Sequence, residues 1–238
     1  FYYFCRELIN KCDVGCAVGI FNVSDASYNS VIDEALRQRY GVAEHADAKR
    51  ANKIALQKRV GLNVNPNAPL FFWPSRLDPI QKGPQLLTDI LYRLTARHAA
   101  HDMQVVLVAN GVYQRHFKNI VQHHNIGHRV AVCDFDEQLS RMAMGAADFV
   151  LMPSLFEPCG LPQMIGSIYG TLPVAHNTGG LHDTVSDLSV EHNRGNGFLF
   201  KIYDSSGLEW AMEQALAFYQ LPAAVKQDAG VRTQMFVS

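Results

Sequence analysis

From residue 70 onward the apolar positions fall into two alternating patterns. Leu70–Trp73, Gln104–Ala109 and Phe149–Met152 are short runs with little polar alternation, the pattern of strands buried on both faces. Arg129–Cys133, Thr171–Ala175 and the short Phe198–Phe200 read as further strands. Between the first two runs, Leu86, Leu87, Ile90, Leu91 and Leu94 recur at the spacing of one helix face. Helices are also expected at Tyr113–His124, Glu137–Ala147, Leu161–Tyr169, Leu181–Ser186 and Leu208–Tyr219. Strand and helix alternate from residue 70 to 220. That order predicts an α/β fold, a Rossmann-like doubly wound parallel sheet joined by helical crossovers.

The first third is less regular. Phe1–Ile9 is aromatic and apolar without clean periodicity, and Asn22–Ser30 has the Asn, Ser and Asp content of a loop. Asp33–Arg39 and Ala48–Arg59 are expected to be helical, and Gly61–Pro69 is a linker with turn chemistry. The chain is therefore divided into an N-terminal segment with its linker, residues 1–66, and the α/β domain, residues 67–238. No internal repeat and no low-complexity tract is found.

Composition narrows the function classes. Of 238 residues, 48% are hydrophobic and 18% charged, enough to bury a core and too apolar for wholesale disorder. The formal net charge of -1 gives no basic excess for nucleic acid or an anionic membrane. The apolar runs are too short to span a bilayer. Five cysteines, Cys5, Cys12, Cys16, Cys133 and Cys159, make an odd number in a chain of this size, so a reducing interior is expected rather than a disulfide scaffold. Cys12 and Cys16 have the spacing of a metal pair, but no second Cys/His pair at zinc spacing accompanies them, and no metal site is expected. His123, His124 and His128 are placed on a solvated helix end. The chain opens on Phe1, and residues 1–20 show no basic segment followed by an apolar core, so a signal peptide is not expected and the chain is read as a partial or processed product.

In doubly wound sheets, ligands bind outside the carboxyl ends of the strands. Five loops fall there. Ser75–Gly83 places Arg76 and Lys82 just past the first strand, ahead of Gly83-Pro84 and a helix N-terminus. A diphosphate would meet a guanidinium fork, a point charge and backbone N–H groups; two surface cations in a turn explain the residues equally well. Ala109-Asn110-Gly111 is a tight turn. No G-x-G-x-x-G follows any strand, which argues against a nicotinamide-dependent dehydrogenase. In Cys133–Glu137, Asp136 is read as a helix cap, and Phe135 lies either against a nucleobase or in the core. In Pro153–Gln163, Glu157 follows a strongly apolar strand; a carboxylate at that depth needs partners, and sugar hydroxyls suit it. Gly160 is expected to let a ligand approach the backbone. Cys159 has no assigned base and is read as a small residue lining the pocket. In His176–Leu181, Thr178 is a possible helix cap, and Gly179 and Gly180 offer backbone donors to an anion. Together the five loops describe a site for a phosphorylated, polyhydroxylated ligand.

These residues carry a resemblance. Arg76-Leu77-Asp78-Pro79 with Gln81-Lys82-Gly83, Pro153-Ser154 with Phe156-Glu157-Pro158-Cys159-Gly160-Leu161, Tyr169–Val174, and Thr178-Gly179-Gly180-Leu181 with Asp183-Thr184-Val185 are similar to bacterial glycogen synthases and plant starch synthases. The similarity runs from about Asn52 to Phe200. It implies the C-terminal, nucleotide-sugar-binding half of a GT-B fold. It implies transfer of glucose from ADP-glucose to the non-reducing end of an α-1,4-glucan with retention, without metal or other cofactor. Arg76 and Lys82 would then hold the diphosphate and stabilise the leaving ADP, and Glu157 would contact the donor glucose. Cys159, Gly160 and Leu161 would line the sugar pocket, and Thr178, Gly179 and Gly180 would close on the distal phosphate. Asn110 and Phe135 would lie on the donor side, Phe135 near the adenine where the family usually has Tyr. The implied partners are ADP-glucose or ADP, the glucan acceptor and the N-terminal domain of the same enzyme, in the cytoplasm or, in a plant or alga, the plastid stroma. Nucleic acid and membrane are not expected partners.

The sequence departs from the family in places. Phe21-Asn22-Val23-Ser24-Asp25 stands for an Asn-Gly turn, Pro74-Ser75 for a small apolar residue and Gly, Cys133-Asp134-Phe135-Asp136 for Ile-Gly-Tyr-Asp, and Asn177 for a cation. Ile165 occupies the place of a second Glu found in many retaining GT-B enzymes. Two other readings follow: a degenerate, non-catalytic module binding nucleotide or glucan, and a different GT-B enzyme. Intact Arg76, Lys82 and Glu157 argue against the first, and the Glu-Pro-Cys-Gly-Leu string against the second. The acceptor domain lies outside these 238 residues, so the chain by itself is expected to show little or no glucan extension. A radiolabel assay with robust extension would overturn that expectation.

Overall fold

Six strands, β1 (Leu70–Trp73), β2 (Gln104–Val108), β3 (Val130–Cys133), β4 (Phe149–Met152), β5 (Leu172–His176) and β6 (Phe198–Phe200), form one sheet in the order β3-β2-β1-β4-β5-β6. Every pairing is parallel, with Phe71 opposite Val105 on one side and Phe149 on the other. The coordinates are a computed structural model that describes Lys11 and residues 24–225. Phe1–Ile9, the Cys12/Cys16 pair and residues 21–23 lie outside the described residues. The α/β expectation is met, with every predicted strand within a residue or two of its place.

The strands are apolar on both faces because both faces are covered. Phe71, Trp73, Val105, Leu107, Phe149 and Leu151 point into one core with α2 (Pro84–Arg97), α3 (Gln114–His123) and α7 (Ser205–Tyr219). Leu70, Phe72, Val106, Val108 and Val150 point into the other, with α1 (His45–Val60), α4 (Glu137–Ala146) and α5 (Pro162–Ile168). This is the period-two division that a pleated strand imposes. Leu87, Ile90, Leu91 and Leu94 are fully buried beneath α2, each contributing about 1.5–3 kcal/mol relative to exposure. Asp136 caps α4, its Oδ1 accepting from the Leu139 N–H at 2.6 Å, as the sequence predicts. A third cluster, Met152, Ala175, Leu181, Val185 and Leu199, seats the short α6 (Gly179–Thr184), which begins two residues before its predicted start.

Residues 33–39 are turns, not the predicted helix. Asp33 supplies the reason. Its Oδ1 accepts from the Ala35 N–H at 2.9 Å, and its Oδ2 accepts from the buried Tyr169 hydroxyl, an alternative to helical bonding that Asp side chains favour. Arg141 pairs with the same carboxylate at 3.5 Å and lies over the Tyr28 ring. The segment is thereby tied to α4 and the end of α5.

Helix α1 forms as expected but docks through polar groups. Lys49, Asn52, Lys53 and Gln57 are buried at helical spacing. Lys49 Nζ donates to the Tyr169 carbonyl and to Thr171 Oγ1. Asn52 and Gln38 bond through side chain and backbone in both directions. Gln57 bridges Asn65 and Gln104. Lys53 Nζ lies 2.6 Å from Asp148 Oδ2, which also accepts from the Leu70 N–H, and it donates to the Ala68 carbonyl. Ala48 and Leu56 sit in the same core as Leu70 and Phe72, so the helix ahead of the 61–69 linker packs on the sheet that follows it.

Two predictions follow from this polar face. Lys53→Met is expected to lower stability by about 3–5 kcal/mol, because it leaves a largely buried carboxylate without its cation. Adding Asp148→Asn should recover part of the loss, since the amide oxygen still accepts from Leu70; urea unfolding measures both. His45, buried at the start of α1, has its pKa pushed down to about 4 by burial and by the charge of Lys49. The unfolded chain therefore binds the extra proton first as pH falls, and the stability present above about 6.5 is lost toward about pH 4. Replacing His45 with Leu should remove that part of the acid dependence, read as the difference in unfolding midpoints across the window.

Candidate active site

The sheet order reverses at β1. The chain moves outward from β1 to β2 and β3, then returns to β4 on the other side of β1. In parallel α/β sheets such a reversal is where ligands bind, outside the carboxyl ends of the strands, here beside the loops that leave β1 and β4. Those loops are 74–83 and 153–161, which hold Arg76, Lys82 and Glu157.

The first loop is shaped by Asp78. Its Oδ1 accepts from the Ile80 and Gln81 N–H groups at 2.8 and 3.0 Å, and its carbonyl accepts from Lys82 N–H at 2.8 Å. Those backbone bonds, helped by nearby Arg76 and Lys82, hold the Asp78 carboxyl below the usual carboxylate range. Gly83 ends the turn in the left-handed region at φ 69°, where a Cβ would stand 2.2 Å from the Pro153 carbonyl oxygen. Only glycine allows this approach. Leu155 N–H then donates to the Gln81 carbonyl at 2.8 Å, and the two loops are locked together.

The lock brings Lys82 to Glu157. Nζ lies 2.5 Å from Oε2, and both side chains are largely buried. Ser154 Oγ donates to the same Oε2 at 3.2 Å. His176 Nδ1 lies 2.8 Å from the Ser154 carbonyl oxygen. Glu157 is 8% exposed, and its Oε1 has no hydrogen bond among the described residues. A buried carboxylate fixed by one oxygen thus keeps the other for hydroxyl donors. Arg76 is exposed at the rim, without an ion pair or side-chain hydrogen bond among the described residues. Ser154 and His176 lie in stretches the sequence analysis quotes but were given no role there; only the tertiary structure shows Ser154 Oγ on Glu157 and His176 on the Ser154 carbonyl.

The loop after β5 closes on the same carboxylate's backbone. Gly179 has φ 45°, and a Cβ there would stand 2.3 Å from the Glu157 carbonyl oxygen; one on Gly180 would stand 2.2 Å from that of Cys159. Gly180 N–H donates to the Glu157 carbonyl at 2.8 Å. The pair therefore does not present two free donors, as the sequence suggested, because one of them holds the loops together. Thr178 occupies the cap position of α6 through its backbone, and its side chain makes no cap bond. Asn177 Oδ1 lies 2.7 Å from His182 Nδ1.

Gly160 also differs from expectation. It is buried at φ 75°, and the place of a Cβ is taken by the Gln163 amide, 2.5 Å away, rather than left open to a ligand. Gln163 Nε2 binds the carbonyls of Cys159 and Gly160 at 3.0 and 2.8 Å, which sets the loop's course. Cys159 is half-buried and Leu161 exposed. Asn110 and Phe135 form an outer arc beyond β2 and β3. Asn110 Oδ1 accepts from the Phe135 N–H at 2.9 Å, and the Phe135 ring is 58% exposed. Of its two anticipated places, this ring is therefore outside the core. Leu77 N–H donates to the Asn110 carbonyl at 2.9 Å, joining the arc to the Arg76 loop.

Comparison with known proteins gives a consistent picture. Residues 56–230 match the family described as "Glycosyl transferases group 1". The chain is 38% identical over 205 residues to a glycogen synthase of Bacillus licheniformis, covering 84% of this chain and 41% of that protein. It is 39% identical over 204 residues to a glycogen synthase of Thermotoga maritima, covering 84% and 40%. The chain thus spans about two fifths of the length of these relatives. Among solved structures, it resembles the catalytic domain of Starch Synthase IV from Arabidopsis thaliana bound to ADP and acarbose, with a TM-score of 0.83 and 32% identity over 95% of this chain and 46% of that one. Anabaena HepE in complex with UDP shares the fold, at a TM-score of 0.59 and 23% identity, covering 79% and 48%.

The interlock of the loops is testable without any ligand. Gly180→Ala puts a methyl group into the Cys159 carbonyl and is expected to cost about 1–3 kcal/mol, as overpacking does. Gly61→Ala, where a Cβ meets open space, should cost only the left-handed strain of about 1–2 kcal/mol, with no overpacking added. Thermal unfolding of the two variants side by side measures the difference.

Proposed function

The chain belongs to the group 1 glycosyl transferases, and from that premise we propose that it is the donor-binding half of a glycogen or starch synthase. The reaction is transfer of glucose from ADP-glucose to the non-reducing end of an α-1,4-glucan, with retention at the anomeric carbon. The observation that carries the reading is the buried Lys82–Glu157 pair, with Glu157 Oε1 left without a partner among the described residues. A charged group and a hydroxyl acceptor side by side suit a ligand that joins a diphosphate to a sugar.

The roles follow from placement. Lys82 has three donors, so it can keep Glu157 and reach a phosphate oxygen together. Arg76, exposed at the rim, adds a guanidinium fork to the same diphosphate. As the bond between glucose and the diphosphate breaks, negative charge grows on the leaving ADP, and these two cations stabilise it without a metal ion. Glu157 Oε1 accepts from glucose hydroxyls. Cys159 and Leu161 form the wall of the sugar pocket, Thr178 and Gly179 border the distal phosphate, and the exposed Phe135 ring lies against the adenine. The similarity to glycogen synthases at 38–39% identity and to a starch synthase structure containing ADP and acarbose supports ADP as the nucleotide and a glucan as acceptor. The acceptor side of the cleft belongs to an N-terminal domain of the same enzyme. No helix among the described residues is long and apolar enough to cross a membrane, in keeping with a reaction in the cytoplasm or the plastid stroma.

Calorimetric titration with ADP, UDP and ADP-glucose tests the reading. ADP is expected to bind more tightly than UDP, and Arg76→Ala and Lys82→Ala should each weaken it by about tenfold or more, worth about 1.4 kcal/mol. Glu157→Gln should weaken ADP-glucose by a similar factor while leaving ADP nearly unchanged. ADP binding indifferent to both cation substitutions would sink the proposal.

A further inference from the structure

At the amino-terminal edge of the sheet, opposite the candidate active site, the first turns of α1 line a cleft of about 200 Å³. His45, Lys49 and Lys53 stand four residues apart on one face of the helix, and Arg50 flanks them. Asp148 is the one carboxylate among the lining residues, and it is held by Lys53 at 2.6 Å. Among the described residues Arg50 bonds one neutral partner, Asn67 Oδ1, at 2.9 Å. Lys49 is buried and bonds a carbonyl and a hydroxyl, again neutral. Burial first, and then the charge of Lys53, push its pKa down to about 7 against the opposing pull of Asp148.

His45 adds an independent sign of a missing ligand. The residue is 7% exposed, and neither ring nitrogen has a hydrogen-bond partner among the described residues. The Gly170 backbone lies against the ring, and a Cβ there would stand 2.3 Å from Nε2. It favours the charged ring slightly but reaches no acceptable hydrogen-bond geometry. The Tyr40 ring meets the imidazole edge-on at 5.9 Å. A buried imidazole with both nitrogens idle is uncommon, because buried polar groups ordinarily find partners.

We propose that this cleft is a second site of the molecule, one that binds the phosphate group of a small phosphomonoester. Beyond the matched Lys53–Asp148 pair, neither Lys49 nor Arg50 has a counterion among the described residues, so a bound anion would face up to two positive charges. A phosphomonoester carries about -1.5 to -2 charges at pH 7 and three strong acceptor oxygens. That suits two cations and an imidazole donor; a monocarboxylate would leave one cation unmatched. Phe218 and Tyr219 also line the cleft, the Tyr219 hydroxyl accepting from Lys53 Nζ at 3.1 Å, and their rings give a carbon body an apolar surface to rest on. A bound dianion would favour the charged forms of Lys49 and His45, so binding draws in protons from solution. The site is independent of the donor site, which lies at the other end of the strands.

The test is calorimetric titration of the full chain with inorganic phosphate, in two buffers of different ionisation heat. The expected result is binding with proton uptake, retained in the Arg76→Ala/Lys82→Ala double variant. Arg50→Gln and Lys49→Met should each weaken it by about tenfold or more, as loss of a charge-assisted bond does. Arg50 is exposed, so its variant decides the matter if Lys49→Met fails to fold. Absence of phosphate binding, binding untouched by Arg50→Gln, or binding lost only in the Arg76/Lys82 double variant would each overturn the proposal. The last outcome would place the phosphate at the donor site.

Discussion

Strand β1 is paired on both edges and buried on both faces, and the rest of the molecule is arranged around that fact. A strand so placed must have neighbours added on each side in turn. The chain does this by building outward through β2 and β3 and then crossing back to β4. The crossover leaves the loops after β1 and β4 side by side at the carboxyl edge. Lys82 and Glu157, 75 residues apart in sequence, meet there. Gly83 makes the meeting possible, because its missing Cβ lets the first loop press on the Pro153 carbonyl. The ion pair is thus a consequence of topology and one glycine together.

The two edges of the sheet use charge differently. At the amino edge, buried lysines bond carbonyls, two hydroxyls and one carboxylate. Such contacts are costly to assemble and damaging to break, so they fix where α1 sits. At the carboxyl edge, charge stands closer to solvent and is only partly matched. Among the described residues Arg76 has no side-chain partner and Glu157 keeps an idle oxygen. The backbone there is held by loop-to-loop bonds from Gln81, Asn110 and Glu157 carbonyls, so the unmatched groups are positioned before any ligand arrives. Preorganisation of this kind is what stabilising a developing charge requires.

Some of this was legible in the residue pattern. Two-sided apolar runs gave the strands, because a parallel strand covered by helices has no polar face to show. The Asp136 cap was also local, a side chain reaching three residues along its own chain. The Asp33–Arg39 helix failed because Asp33 bonds Tyr169, far away in sequence. The glycines of the site were noticed, but two were given the wrong neighbour. Gly160 faces Gln163, and Gly180 faces Cys159. A glycine announces that something comes close, and its sequence cannot say what.

What the sequence determined by itself, then, is the strand and helix order from residue 70 onward, the parallel sheet and the edge at which Arg76, Lys82 and Glu157 gather. These rest on hydrophobic period and crossover handedness, both properties of short stretches of chain. The tertiary structure alone decided which atoms meet: that Ser154 and Lys82 share one oxygen of Glu157, that His176 steadies Ser154, and that His45 is buried without a hydrogen-bond partner among the described residues. Hydrogen bonds and ion pairs act over a few ångströms, and the folding of loops distant in sequence sets those distances. No local pattern of residues encodes them.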